Sequence, residues 1–341
     1  MATPRDAHEL AKVTDLEAQV LDEADAIEAP CSERQFRVFM RMVTNPDNHL
    51  AIGFSGGGVP GIAGNAALLS IMEDLNVGPH IKEVWGTSAG GIVGAGMAVG
   101  TNSQEVMELV ETGNGRKGVI DVPKWWLIRK LFNVIFRHGE LPQGFVRGAF
   151  FDEIFRKGLK LETFEEALIP LRLIACTDDG NLQKVIHRKG LILPAVHASM
   201  CIPGLMVPRP DWNGREFGYY DGGLVENTPL VSIIDEHVRL GRESKLLVLC
   251  TRFQSSARTH RPKNCVDRIL NSYQHLQDVS WTAQQLQADA AEGCKHIIVN
   301  PHIIWGGMMD FSKARVNYLI CRKQFKEQLS NAGLAARFGA H

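Results

Sequence analysis

The sequence predicts an α/β fold with a mainly parallel sheet covered by helices on both faces. Three observations predict it. From His49 onward, short apolar runs alternate with segments of helical periodicity. The runs are apolar along their whole length, as strands buried on both faces must be. Two of them pass directly into glycine-rich turns that open helices, SGGGVPG (Ser55–Gly61) and GTSAGG (Gly86–Gly91).

The elements follow in order. An N-terminal arm, residues 1–46, comes before the alternating pattern. Residues 8–28 place Leu10, Val13, Leu16, Val20, Ala24 and Ile27 on one helical face, with Asp15, Glu17, Asp22, Glu23, Asp25 and Glu28 opposite. A second short helix after Ser32 offers Phe36, Phe39, Met40 and Val43 for burial. The arm is expected to pack on its own core, with a homodimer or a protein partner as the alternative. The remainder, 47–341, reads as one α/β domain. Strands are expected at 49–54, 81–86, 171–177, 182–187, 245–251 and 295–300. Helices are expected at 62–75, 88–99, 103–112, 124–137, 161–168, 229–240, 265–291 and 312–330.

Composition narrows the function classes. The chain has 341 residues, 45% hydrophobic and 22% charged, enough for a large core. Its formal net charge of −1 gives no global field for nucleic acid, so any such signal must be local. Seven cysteines with no C-x-x-C pair fit reduced thiols rather than a disulfide framework or a zinc site. The first residues, MATPRDAHELAKVTDLEAQ, lack the apolar core of a secretory signal, and no run reaches the roughly 18 apolar residues of a membrane span. A cytoplasmic protein is the expectation.

Gly86-Thr87-Ser88-Ala89-Gly90 fits the G-x-S-x-G nucleophile elbow, because a strand precedes it and an apolar, glycine-rich helix follows. Such a turn exposes Ser88 at a helix N-terminus, where the N–H of Ala89 can meet an oxyanion. In SGGGVPG, Gly56, Gly57 and Gly58 let backbone N–H groups converge without Cβ atoms in the way. The same letters satisfy G-x-G-x-x-G through Gly56, Gly58 and Gly61, so a nucleotide-binding module is a competing reading. No acidic residue ends the second strand, where a ribose partner belongs. Farther on, Tyr219-Tyr220-Asp221-Gly222-Gly223 sets a carboxylate in an open turn. If that turn meets Ser88, Asp221 can act as its base, provided desolvation raises a carboxyl pKa of about 3.9.

The ordered set GGG-x-x-G, GTSAG and DGG resembles the patatin-like phospholipases. CTDDG (Cys176–Gly180), HASMCIPGLMVP (His197–Pro208) and Asn227-Thr228-Pro229 extend the likeness over roughly residues 49–230. The resemblance implies a three-layer α/β/α sandwich and calcium-independent acyl-ester hydrolysis of a phospholipid or other acyl-ester lipid. It implies Ser88 as nucleophile, Asp221 as general base and an oxyanion hole from Gly56, Gly57, Gly58 and Ala89, with no metal or organic cofactor. Three positions depart from the pattern. Ser55 stands where Asp is usual, Pro60 where the loop cation is usual, and His197 where Arg is usual.

Other readings stay open at this level. A thioesterase or acyltransferase would use the same dyad. A Ser-His-Asp triad would take His302 as base, oriented by Asp178 or Asp221. Residues 124–138, KWWLIRKLFNVIFRH, combine Lys124, Arg129, Lys130 and Arg137 with an apolar arc of Trp125, Ile128, Leu131, Phe132, Ile135 and Phe136. That composition suits a lid or a peripheral membrane contact as well as a helix covering the sheet.

Overall fold

A computed structural model describes residues 14–113, 144, 146, 148–177, 180–208, 218–255, 265–291, 293–303, 308 and 310–338. Among them the strands are β1 (His49–Phe54), β2 (Ile81–Thr87), β3 (Leu171–Thr177), β4 (Lys184–His187), β5 (Tyr219–Asp221), β6 (Leu246–Thr251), β7 (Gln254–Ser255), β8 (Lys295–Val299) and β9 (His302–Ile303). Seven form one sheet in the order β4-β3-β2-β1-β6-β8, with β5 also paired to β3, while β7 and β9 make a separate small pair. The β1–β2, β2–β3, β1–β6 and β6–β8 pairs are parallel; β4 and β5 run antiparallel to β3.

β1 shows why the sheet is buried on both faces. Leu50, Ile52 and Phe54 join the larger core cluster, with Ile62, Ala66 and Leu69 from one helix and Leu319 and Phe325 from another. Ala51 points the other way, into a cluster with Leu230, Ile233, Trp281 and Ala288. The period of two thus divides one apolar run between two helical layers. The result is a three-layer α/β/α arrangement around a mainly parallel sheet.

The strand order turns at β1. The chain runs from β1 outward through β2 and β3, then returns to place β6 and β8 on the other side. Connections leaving β1 and β6 at their carboxyl ends therefore diverge and open a crevice, the usual ligand position in sheets of this type.

Several elements differ from expectation. The helix after β1 spans Gly58–Asp74, so the last part of the glycine turn is its first turn. Pro60 fits there because an N–H at that position has no intrahelical partner to lose. No helix forms at 161–168. The Glu166 carboxylate instead accepts from Glu162 N and Thr163 N, and Thr163 bridges to Leu191. Helices at Ala149–Gly158 and Ile192–Ser199 are additions, as is the three-residue β5. The stretch 124–138 and Asp178 lie outside the described residues.

The arm is helical over 14–22, Ala24–Glu28 and Arg37–Val43, and buries Val20, Ile27, Phe36, Phe39 and Val43. Its acidic face meets the segment around the C-terminal helix Ala314–Phe338. Glu17 pairs with Lys313 at 2.5 Å, Glu23 with Lys323 at 2.6 Å and Glu28 with Arg315. Buried Arg322 of the same helix donates to Ile27 O, Ser70 Oγ and, at 2.5 Å, Asp74 Oδ2. Among the described residues no helix is long and apolar enough to cross a membrane.

Candidate active site

Ser88 sits between the end of β2 and the helix Ala89–Ala98, with φ 54 and ψ −122. A non-glycine residue at positive φ is strained, and a strand-to-helix turn this sharp needs small neighbours. Gly90 is one of them: a Cβ there would lie 2.0 Å from Phe54 O and 2.7 Å from Ser55 O. The helix thereby crosses directly over the end of β1 and carries Ser88 to the glycine turn. A Cβ on Gly56 would lie 3.0 Å from Ser88 Cβ.

Strand register brings Asp221 to the same place. Thr87 faces Ile174 across the β2–β3 pair, and Ala175 faces Asp221 across the β3–β5 pair. Residues far apart in sequence therefore end on adjacent strands at one level. Asp221 is fully buried, and its Oδ1 accepts from Gly223 N at 2.7 Å. Burial raises its carboxyl pKa from 3.8 to about 6, against the opposing pull of the Ser88 hydroxyl, the Gly223 N–H and the Tyr273 hydroxyl. The two hydroxyls are close enough to exert that pull, but Oδ2 has no partner at full hydrogen-bond geometry among the described residues. Loose contacts of this kind are common in enzymes without substrate.

The glycine turn supplies donors unequally. Gly56 N–H is engaged with Asn227 O at 3.1 Å, so Gly56 is not a free donor, contrary to the expectation from sequence. The tie forms because Asn227 follows β5 closely and runs beside the turn. No hydrogen bond engages the N–H groups of Gly57, Gly58 or Ala89 among the described residues. Gly58, at φ 61, lies in the left-handed region, and Val59 N donates to Met308 O at 2.7 Å. Ser55 is buried in place of the expected Asp. Its N–H donates to Thr251 Oγ1 at 2.9 Å and its carbonyl accepts from Asn65 Nδ2 at 2.9 Å, which anchors the turn without a charge.

Four supports were not assigned from the sequence, although Thr87, Ser199 and Cys201 lie in stretches that carry the family resemblance. Ser199 Oγ accepts from Ser88 N at 2.9 Å and donates to Ile174 O at 2.6 Å, pinning the elbow to β3. Tyr273, buried on the helix Cys265–Asp289, stands over Gly223, whose added Cβ would lie 2.5 Å from its Oη. Thr87 Oγ1 donates to Glu226 O at 3.0 Å, and Asp221 N to Cys201 O at 2.7 Å. His197, in the position of the expected Arg, is buried with Nδ1 3.5 Å from Asp152 Oδ1. His302 lies in β9, paired with β7, and among the described residues no histidine contributes to the environment that sets the Asp221 pKa.

Two depressions flank these residues. One is apolar and is lined by Ile62, Ile92, Leu109, Phe151, Phe155 and Phe311 among others. Ile92 is one helical turn from Ser88, whose carbonyl accepts its N–H at 3.3 Å. The other mixes polar and apolar groups, Asn227, Thr228 and Arg252 beside Phe253 and Trp281, and lies between the turn after β1 and the residues after β6.

A sequence model described as patatin-like phospholipase matches residues 53–234, just over half of the 341-residue chain. The chain belongs to the patatin-like phospholipase family. Uncharacterized NTE family proteins of Mycobacterium bovis and Mycobacterium tuberculosis are each 27% identical over 183 residues. That stretch is 53% of this chain but only 27% of either relative. Among solved structures, VipD from Legionella pneumophila aligns at 13% identity and a TM-score of 0.40, covering 82% of this chain and 67% of its own. The type III effector ExoU of Pseudomonas aeruginosa aligns at 14% identity and a TM-score of 0.40, covering 85% of this chain and 53% of its own. Ser88, Asp221 and the glycines from Gly56 to Gly58 all fall within the patatin-like family match.

Proposed function

We propose that this chain is a calcium-independent lipid acyl hydrolase of the phospholipase A or lysophospholipase type, working through a Ser88–Asp221 dyad. The observation that carries the proposal is the strained Ser88 elbow set beside a fully buried carboxyl whose pKa is pushed to about 6. A carboxylate poised near neutral pH is a far better base than a solvated one.

In this reading Ser88 Oγ attacks the acyl carbonyl as Asp221 takes its proton. The tetrahedral oxyanion is held by the free N–H groups of Gly57, Gly58 and Ala89, aided by the positive end of the helix that Ser88 opens. The carbonyl re-forms, the ester C–O bond breaks, and protonated Asp221 returns the proton to the departing alkoxide. Water then attacks the acyl-enzyme with Asp221 again as base, releasing fatty acid and restoring Ser88. The acyl chain is assigned to the apolar pocket beside Ile92.

The test is product profiling by mass spectrometry on mixed phospholipids, with wild type beside Ser88→Ala, Asp221→Asn and His302→Ala. Fatty acid and lysophospholipid are expected from wild type and His302→Ala only. Activity retained in Asp221→Asn but lost in His302→Ala overturns the dyad. A fluorophosphonate label that persists in Ser88→Ala overturns the nucleophile.

A further inference from the structure

At the amino ends of the strands, away from Ser88, the sheet buries a second cluster of titratable side chains. His49 is the first residue of β1, Glu83 lies in β2 opposite Ala51, and His237 lies in the last turn of the helix Leu230–Arg239. His49 alternates with Ala51 and Glu83 with Trp85, so both face the layer in which Ile233 and Ile234 of that helix pack. The β1–β2 register shifts between Leu50 and Ala51, an irregularity of the kind that re-aims side chains. Glu83 is 4% exposed and His237 2%. A carboxylate buried this deeply is costly unless it is paired or coordinates a metal.

Glu83 divides its two oxygens. Oε2 meets Arg172 Nη1 at 3.1 Å, while Oε1 turns to the histidines, 2.8 Å from His237 Nε2 and 3.8 Å from His49 Nε2. The three donor atoms lie within 4.8 Å of one another, and the two imidazole centroids are 4.6 Å apart. Tetrahedral zinc, with bonds of about 2.0–2.2 Å, spaces its donors by about 3.4 Å, so small ring rotations bring all three onto one ion. An ordinary ion-pair network accounts for His237 and Arg172 but not for His49. Its Nε2 is buried against Glu83 and has no hydrogen-bond partner among the described residues. Arg172 does not bar a cation, because it also donates to Glu236 Oε1 at 2.9 Å and shares its charge with that second carboxylate. At Glu83 it serves as the outer partner that fixes one oxygen and leaves the other free to coordinate.

We propose that His49, Glu83 and His237 bind one divalent transition-metal ion, zinc by the match of donors, with water in the fourth position. Two imidazoles and one carboxylate suit zinc, whereas Ca2+ and Mg2+ take oxygen ligands. The ion replaces the hydrogen bond between His237 and Glu83. The neutral His237 ring then carries its proton on Nδ1, which is buried and unpartnered in the metal-free arrangement as well. Water reaches the fourth position past His49, whose side chain is 29% exposed. Arg242 and Lys82 act on His49 through space, and there are only three protein ligands, so the expected Kd is about 0.1–10 µM. The ion ties the first two strands to the helix Leu230–Arg239. It stands at the opposite end of β1 from the glycine turn and is independent of the hydrolase reading.

The experiment titrates the whole chain, stripped of metal by a chelator, with Zn2+ in a calorimeter. One equivalent is expected to bind, and a hundredfold excess of Zn2+ over Kd should raise Tm by about 4 °C. His49→Gln should weaken binding by about 100-fold. Glu83→Gln would also unpair Arg172, so the variant test rests on His49→Gln. A second measurement needs no variant. Co2+ bound in place of Zn2+ should show the intense visible bands of a tetrahedral ion without a near-ultraviolet thiolate band, which separates this cluster from the seven cysteines. A Kd weaker than about 100 µM, or binding unchanged in His49→Gln, overturns the proposal. An octahedral cobalt spectrum or a thiolate band does the same, as does displacement of zinc by excess Mg2+ or Ca2+.

Discussion

Replacing Asp221 with Asn should abolish activity and make the protein more stable, and the pH dependence of that gain tests the role of burial. The carboxyl ionises at about 6 when folded and near its ordinary 3.8 when unfolded. A raised folded value means that stability is fully present below the unfolded pKa and is lost as pH rises through the folded one. The window therefore runs from 3.8 to about 6. At about 1.4 kcal/mol per pH unit, the ionised wild type loses roughly 3 kcal/mol above that window. The amide of the variant is neutral throughout. It keeps an oxygen for the Gly223 N–H, and its NH2 faces two hydroxyl oxygens, of Ser88 and Tyr273, that can accept. Urea unfolding of both proteins across pH 4–8 checks this. The two stabilities should coincide near pH 4 and diverge by about 1–3 kcal/mol at pH 8, with Asp221→Asn the more stable. A constant difference at all pH values, or a less stable variant at pH 8, would refute the argument that burial sets the shift.

Four further outcomes follow from the geometry. The acid limb of kcat/KM should titrate near 6, with about tenfold less activity per pH unit below it, because in the proposed dyad only ionised Asp221 can take the Ser88 proton; a limb near 4 contradicts the burial argument. Ser88→Gly should raise stability by about 1 kcal/mol while removing activity, since glycine tolerates φ 54; a destabilised variant in thermal unfolding contradicts strain at the elbow. Ser199→Ala leaves the Ser88 N–H without its acceptor, and should cost about 1–3 kcal/mol along with a lower kcat and a nearly unchanged KM. Arg322→Ala leaves Asp74 without its buried partner and cuts the arm's carbonyl contacts, which should cost about 3 kcal/mol and speed hydrogen exchange in residues 24–43.

Local patterns make much of this molecule legible. Each expected strand rests on a short apolar run, and both glycine turns stand where a strand feeds a helix. Ser88 and Asp221 stand out because their flanking glycines mark places where backbones approach closely. The missing pieces depend on contacts between distant segments. Ser199 gains its role only when β3 lies beside the elbow, and Tyr273 only when a long helix crosses the Asp221 turn. Gly56 reads as an oxyanion donor because nothing nearby in sequence shows that Asn227 O takes its N–H. The helix Ala149–Gly158 does carry a signal, with Phe151 and Phe155 four apart after Gly148 at φ 79. At 161–168 a helix is expected, but the Glu166 side chain satisfies the backbone in a turn instead.

The stretch from Asp221 to Asn227 holds three other segments at once: Cys201 O accepts from Asp221 N, Glu226 O from Thr87 Oγ1, and Asn227 O from Gly56 N. Thr87 and Glu226 alone are 139 positions apart. A chain still being synthesised exposes the Ser88 elbow long before this clasp exists. Until residue 227 has been made and docked, Ser88 has neither Asp221 beside it nor a seated glycine turn. Premature chains and truncated products of the proposed hydrolase are therefore expected to be inert toward lipid, its activity appearing only once this clasp has closed.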